Sequence, residues 1–199
     1  IGTKYCNTII NELYSTHIIN YIDPTLTLCE KFHCGIEYFS LRTEFINYSP
    51  NKFCNNITNI LVTFGGTDPL NYTKLLLDFI IHFKYNEKYN IHVILGLGYK
   101  FTENIKSLVE NQQNVNLYEN VLNMPELIKT CDIAISSQGR TACELLYMNI
   151  PTMCLAENDR EFLHDYCHVN NGFFNIGMIK NLQFDYDIKY LNVCFNDFI

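Results

Sequence analysis

The residues best suited to chemistry gather between Asp132 and His164, in the run DIAISSQGRTACELLYMNIPTMCLAENDREFLH. Ser137-Gln138-Gly139-Arg140-Thr141 is a short polar turn between an apolar strand and a helix, with Glu144 one helical turn beyond Arg140. A helix amino terminus offers unpaired N–H groups and a partial positive charge, which suit a phosphate. Arg140 adds a forked cation there, and a carboxylate at Glu144 could accept the two hydroxyls of a ribose. The plainer alternative is an Arg140–Glu144 ion pair on a solvated helix. A nucleotide is the first ligand to consider.

Three further groups carry polar chemistry. Gly65-Gly66-Thr67-Asp68-Pro69 follows an apolar run, and glycine without a Cβ lets backbone approach a ligand closely. Thr67 and Asp68 can cap the helix that follows, with Pro69 near its first turn; an ordinary strand-to-helix turn has the same pattern. Glu157-Asn158-Asp159-Arg160-Glu161 ends the next strand with a cluster of polar groups. His164 and His168 have a spacing that can bind zinc, but only two ligands lie close together, Glu161 being at most a third, and a capping or ligand-facing His164 fits the pattern better. Gly96-Leu97-Gly98 lacks the third glycine and the later acid of a dinucleotide fingerprint and reads as a turn. No Walker sequence, GxSxG or HExxH occurs.

These groups need a scaffold, and the apolar pattern supplies one. Strand-like runs at Ile60–Phe64, Ile91–Leu95, Val115–Tyr118, Ile133–Ser136 and Thr152–Leu155 alternate with helical spacing. The helical segments are Leu75–Phe83, Thr102–Glu110, Met124–Thr130, Ala142–Met148 and Arg160–Val169. The alternation predicts an α/β fold, a Rossmann-like parallel sheet with helices on both faces. Ligands of such sheets bind at the carboxyl ends of the strands, where both glycine turns fall. Residues 1–50, with Asp23-Pro24, stand outside the alternation, and the polar stretch Asn47–Asn59 reads as a linker. The expected division is 1–50 as the end of a preceding domain and interdomain join, and 51–199 as the ligand-binding domain.

Bulk properties narrow the classes. The 199 residues are 48% hydrophobic and 18% charged, which is globular material. A formal net charge of −7 argues against a broad nucleic-acid or anionic-membrane surface. No apolar run approaches the ~20 residues of a bilayer span. Nine scattered cysteines without a CxxC pair read as buried reduced thiols of a cytoplasmic protein rather than a disulfide framework. Three Asn-x-Ser/Thr triplets are chance matches in an asparagine-rich chain. The abrupt termini suggest a segment of a longer protein.

Taken in order, Ile60–Pro69, Ser136–Glu144 and Ala156–Glu161 resemble the carboxyl-terminal half of UDP-sugar hydrolases of the pseudaminic acid pathway and the related spore-coat polysaccharide proteins. Asn171–Gly177 continues the likeness, and Gly35–Phe45 resembles the join between that family's two domains. The family in turn is similar to GT-B glycosyltransferases, including the peptidoglycan N-acetylglucosaminyltransferase. The resemblance implies that Gly65, Gly66 and Thr67, with Asp68, line the diphosphate side. It implies that Gly139, Arg140 and Thr141 bind phosphate at the helix terminus, that Glu144 binds ribose, and that Ser137 and Gln138 belong to the substrate-binding set. Asn158 and its neighbours would face the sugar, with Asn158 in a supporting catalytic role, and Glu161 and His164 join the substrate-binding set.

The implied reaction is inverting hydrolysis of the sugar's anomeric C–O bond with departure of UDP, needing no metal or cofactor. The implied substrate is a diacetamido-trideoxy-hexose type UDP-sugar of nonulosonic acid or surface polysaccharide synthesis. The family's base is a histidine in a glycine-rich turn of the amino-terminal domain. His17 lies in no such turn, so this segment alone is expected to bind weakly and hydrolyse little. The alternatives are a GT-B glycosyltransferase donor-binding domain and a non-catalytic nucleotide-sugar-binding module paired with another subunit.

Overall fold

A computed structural model describes residues 8–15, 17–19, 31–179 and 184–199, with the side chains of 184–187 left aside. Six parallel strands form the main sheet: β3 (Asn59–Thr63), β4 (Asn90–Leu95), β5 (Val115–Glu119), β6 (Ile133–Ser137), β7 (Thr152–Leu155) and β8 (Phe173–Asn175). Their spatial order is β5-β4-β3-β6-β7-β8, with Ile60 opposite both Ile91 and Ile133. A separate parallel pair joins β1 (Ile9–Asn11) to β2 (Phe32–Cys34). The Asp23-Pro24 turn lies outside the described residues.

Side chains on a strand alternate between faces, and here both faces are covered. Ile60, Val62, Ile133 and Ile135 point into one core with Leu76, Phe79 and Phe195. That side carries α2 (Tyr72–His82), the short α3 (Tyr85–Lys88), α4 (Thr102–Val109) and α8 (Phe184–Phe198). Leu61 and Ala134 face the opposite core with Ile128, Leu145 and Phe45. Those residues bring in α5 (Met124–Ile128), α6 (Arg140–Tyr147) and the one-turn α1 (Thr43–Ile46). Phe45 is fully buried there, so the segment before the linker packs on the sheet's own core.

Two local expectations need correction. Helix α2 starts at Tyr72, beyond Pro69, which therefore sits in the turn rather than in the first helical turn. The helix expected over Arg160–Val169 is only α7 (Asp159–Phe162). Beyond it, His164 Nδ1 meets the Gln138 carbonyl, and the Tyr166 hydroxyl donates to the carbonyls of Gln138 and Gly139 at 2.9 and 2.8 Å. Asn171 donates to the Tyr166 carbonyl at 2.8 Å. These long-range bonds replace the helical ladder and override the local pattern.

Candidate functional site

The carboxyl ends of β3, β4, β5 and β6 open on one cleft of about 390 Å³. Gly65 and Gly66 follow β3, Gly96 and Leu97 follow β4, and Asn120, Val121 and Leu122 follow β5. After β6 come Arg140, Thr141 and Glu144 on the first turns of α6. Strand order reverses between β3 and β6, the position at which open α/β sheets form a ligand crevice. One end of the cleft is polar. The other carries Leu97 and Leu122, which are 86% and 91% exposed.

The glycine turns meet one another. A Cβ on Gly96 would stand 2.2 Å from the Gly65 carbonyl oxygen and 2.5 Å from the Gly66 Cα, and the Gly98 N–H donates to the Gly66 carbonyl at 2.9 Å. Gly65 has φ +67°, a conformation that glycine adopts without strain. Gly96-Leu97-Gly98, a turn by its sequence pattern, also borders the cleft. Its position at a strand end was the signal that marks it as part of the cleft.

Gly139 is the N-cap residue of helix α6 and offers no side-chain cap. The Arg140–Glu144 pair does not form. Arg140 instead pairs with Glu12, donates to the Ser40 carbonyl at 3.0 Å and lies 4.7 Å over the Phe39 ring. Glu144 is buried and is held by Arg42, whose Nε and Nη2 donate to its two carboxylate oxygens at 2.6 and 3.0 Å. Arg42 also pairs with Glu44 at 3.0 Å and lines the cleft. Its bond to Glu144, followed by the charges of Glu144 and Glu44, raises its pKa despite partial burial. Arg42 stood in the sequence as part of the join, and nothing in its local pattern pointed across about a hundred residues to Glu144.

The other expected site residues lie beside the cleft rather than in its lining, most of them buried, with Thr67 exposed and Asn158 half-buried. Asp68 accepts from the backbone N–H of Tyr72 and Thr73 at 2.7 and 2.8 Å, which caps α2. Asn158 Oδ1 accepts the Glu161 N–H at 2.9 Å, and Glu161 accepts the Glu157 N–H at 3.0 Å. Glu161 also packs against the turn at Gly139, where an added Cβ would lie 3.3 Å from its Oε1. The Gln138 side chain donates to Asn175. Ser137 Oγ bridges the two groups in space: it lies 4.0 Å from a Cβ built on Gly65 and 3.4 Å from one built on Gly139. Thr67 lies against the glycine contact, its Cγ2 2.9 Å from a Cβ built on Gly98.

Burial sets the charges in this network. Glu157 is 9% exposed, and its Oε1 has no hydrogen-bond partner. Desolvation first, then Glu161 and Asp68, push its carboxyl up to about 8. Burial also raises Asp68 and Glu161 against the lowering effect of the N–H groups they accept. His164 is buried and its pKa is lowered by desolvation, so a neutral ring donates from Nδ1 to the Gln138 carbonyl. His168 is exposed and Nδ1 accepts the Asn170 N–H at 3.3 Å. With α7 ended at Phe162, the two histidines share no helical face. Among the described residues no group of three His, Cys, Asp or Glu has metal-binding geometry. Cys131, Cys143 and Cys154 are buried thiols with raised pKa values.

Comparison with known proteins gives this geometry a context. No protein-family model matches the chain. An uncharacterized protein of Methanocaldococcus jannaschii is 32% identical over 83% of this chain and 36% of its own length. A Helicobacter pylori protein is 24% identical over 94% of this chain and 32% of its own. That protein is described as pseudaminic acid cytidylyltransferase and UDP-2,4-diacetamido-2,4,6-trideoxy-beta-L-altropyranose hydrolase. The chain thus spans about a third of the length of the curated relatives it matches. Among solved structures, S. aureus TarM, as a point mutant in complex with fondaparinux, alpha-GlcNAc-glycerol and UDP, superposes with a TM-score of 0.55 at 16% identity. This covers 98% of this chain and 38% of TarM. The apo lipopolysaccharide outer core galactosyltransferase WaaB gives 0.50 at 13% identity, covering 98% of this chain and 54% of WaaB. At these identities the likeness establishes the fold, a GT-B-like α/β domain. Among the described residues no helix is long and apolar enough to cross a membrane.

Proposed function

We propose that this chain is the nucleotide-sugar-binding half of a UDP-sugar hydrolase, with the UDP moiety lying in the cleft between β3 and β6. The observation that carries the reading is the convergence there of three backbone turns, an uncapped helix start and a cleft-lining carboxylate. In this arrangement the diphosphate lies over Gly65 and Gly66 against the start of α6. The ribose hydroxyls meet Glu144, and the base enters the apolar end between Leu97 and Leu122. Glu161 and His164 stand behind the α6 turn and hold it in place, and Asn158 caps the short α7 that carries Glu161.

Hydrolysis breaks the bond between the anomeric carbon and the phosphate oxygen. Water supplies the new oxygen at carbon, and UDP leaves with the electron pair. The growing diphosphate charge falls beside the positive end of α6, where preorganised dipoles stabilise it without reorganisation. The base that takes water's proton belongs, in this reading, to a facing domain. The substrate class, a UDP-linked diacetamido-trideoxy-hexose, is supported by the described activity of the H. pylori relative.

A donor-binding domain of a glycosyltransferase is the second reading, favoured by the solved neighbours TarM and WaaB. The two differ in what attacks the anomeric carbon. Calorimetry with UDP tests the shared part: Glu144→Ala should weaken binding roughly tenfold, the loss of a charge-assisted hydrogen bond or two. Equal affinity of the two proteins would contradict the ribose assignment. Release of UDP from a UDP-sugar in water alone, measured on a longer chain that includes the facing domain, favours the hydrolase; release that requires a sugar or polyol acceptor favours the transferase.

A further inference from the structure

Glu144 is an unusual residue to find at a ligand cleft, because its side chain is 7% exposed and yet both its oxygens are engaged from one side. A buried carboxylate is costly unless it is paired. Its nearest helical neighbour of opposite charge, Arg140, is drawn off to Glu12 and the Ser40 carbonyl. Arg42 therefore holds Glu144, and it reaches across from the segment that precedes the sheet. Arg42 is itself fixed by the 3.0 Å pair with Glu44 and by stacking 5.1 Å over the fully buried Phe45.

The planar guanidinium fork uses one lone pair on each carboxylate oxygen and sets the plane of the group. Each oxygen keeps a second lone pair, and Glu144 borders the cleft. Two acceptors at fixed spacing are what two adjacent hydroxyls on a five-membered sugar ring require. A lone carboxylate at this site, by contrast, would be free to turn away, losing one acceptor or both.

We infer that Arg42 is a positioning residue for ribose recognition, its bidentate grip on Glu144 presenting both carboxylate oxygens to the 2′- and 3′-hydroxyls of the bound nucleotide. The inference rests on the placement of UDP proposed above. It extends the nucleotide site to a residue outside the sheet, so that residues 42–45 and α6 form one recognition unit. It also assigns reciprocal roles to the two arginines: Arg42 crosses from the join to α6, and Arg140 crosses from α6 to the join.

The test is the ratio of dissociation constants for 2′-deoxy-UDP and UDP, measured by calorimetry on the unmodified chain, Arg42→Ala and Arg42→Lys. The unmodified chain should prefer UDP by roughly tenfold, as expected for one hydrogen bond to a charged group. Arg42→Ala should bring the ratio close to one, mostly by weakening UDP. Arg42→Lys keeps the charge without the fork and should give an intermediate ratio, which keeps the test valid if the alanine variant does not fold. A merely structural arginine would weaken both ligands equally and leave the ratio unchanged, and that result would overturn the inference. An unmodified chain that binds both ligands equally would overturn it too. Failure of the unmodified chain to bind UDP would remove the nucleotide reading itself, and this inference with it.

Discussion

Replacing Glu157 with glutamine should make the protein more stable, and increasingly so as the pH rises. Glu157 lies buried between Glu161 and Asp68, with its Oε1 unpartnered and its carboxyl pushed from 4.5 up to about 8. In the unfolded chain the group ionises above 4.5, whereas in the folded protein it keeps its proton to about 8. The folded state therefore binds the extra proton in this window. Its stability contribution is full below the lower value, falls as the pH rises, and levels off above the upper one.

At about 1.4 kcal/mol per unit the ceiling is near 5 kcal/mol. Water reaching the cluster and adjustment of the neighbouring acids screen part of that, so about 2 kcal/mol is the expected gain at pH 9. Glutamine reproduces the protonated acid and cannot ionise. The backbone bond from Glu157 N–H to Glu161 remains. Urea denaturation of both proteins from pH 5 to pH 9 reads the effect directly. The two should be nearly equal at pH 5 and diverge steadily through pH 8. A constant offset across the range, or a variant that loses ground at high pH, would refute the buried, protonated Glu157.

Three other substitutions probe the scaffold of the site. Gly96→Ala drives a methyl into the backbone at Gly65 and Gly66 and should cost about 1–3 kcal/mol in urea denaturation while weakening UDP. Gly66→Ala, which meets nothing within 4 Å, should change binding with little loss of stability. Asp68→Ala removes the acceptor of two N–H groups at the start of α2. It should lower stability by about 1–2 kcal/mol. It also takes a like charge from beside Glu157, so the fall in stability between pH 5 and pH 9 should become shallower.

The sheet was readable because its strands are buried on both faces. Ile60–Leu61–Val62 and Ile133–Ala134–Ile135 must be apolar at every position, and such runs stand out in a sequence. The turns after β3 and β6 were readable for the same reason, since a glycine or polar cluster closing an apolar run marks a strand end. What escaped were features set by distant parts of the chain. His164 and Tyr166 belong to a segment with helical spacing, but their bonds to Gln138 and Gly139 unwind it. Arg42 reaches its partner only after the chain has built four strands of the main sheet. Asn158 and Glu161 were expected at the ligand and are occupied with capping and backbone bonds. Side-chain identity showed that polar atoms gather at the strand ends, not which of them face outward.

The order β5-β4-β3-β6-β7-β8 also dictates a schedule for synthesis. Strands β3, β4 and β5 can associate as they leave the ribosome, each beside the one before it. The other flank of β3, with Ile60, Leu61 and Val62, waits for β6, which arrives after β4, β5 and their helices. Until then the nascent half-sheet has an unpaired apolar edge at what will become its centre, the kind of edge that recruits other chains. Chains that terminate before Ile133 should consequently depend on chaperones or collect in inclusion bodies. The same central seam that makes the cleft thus stays open to aggregation for as long as it takes to make β4, β5 and β6.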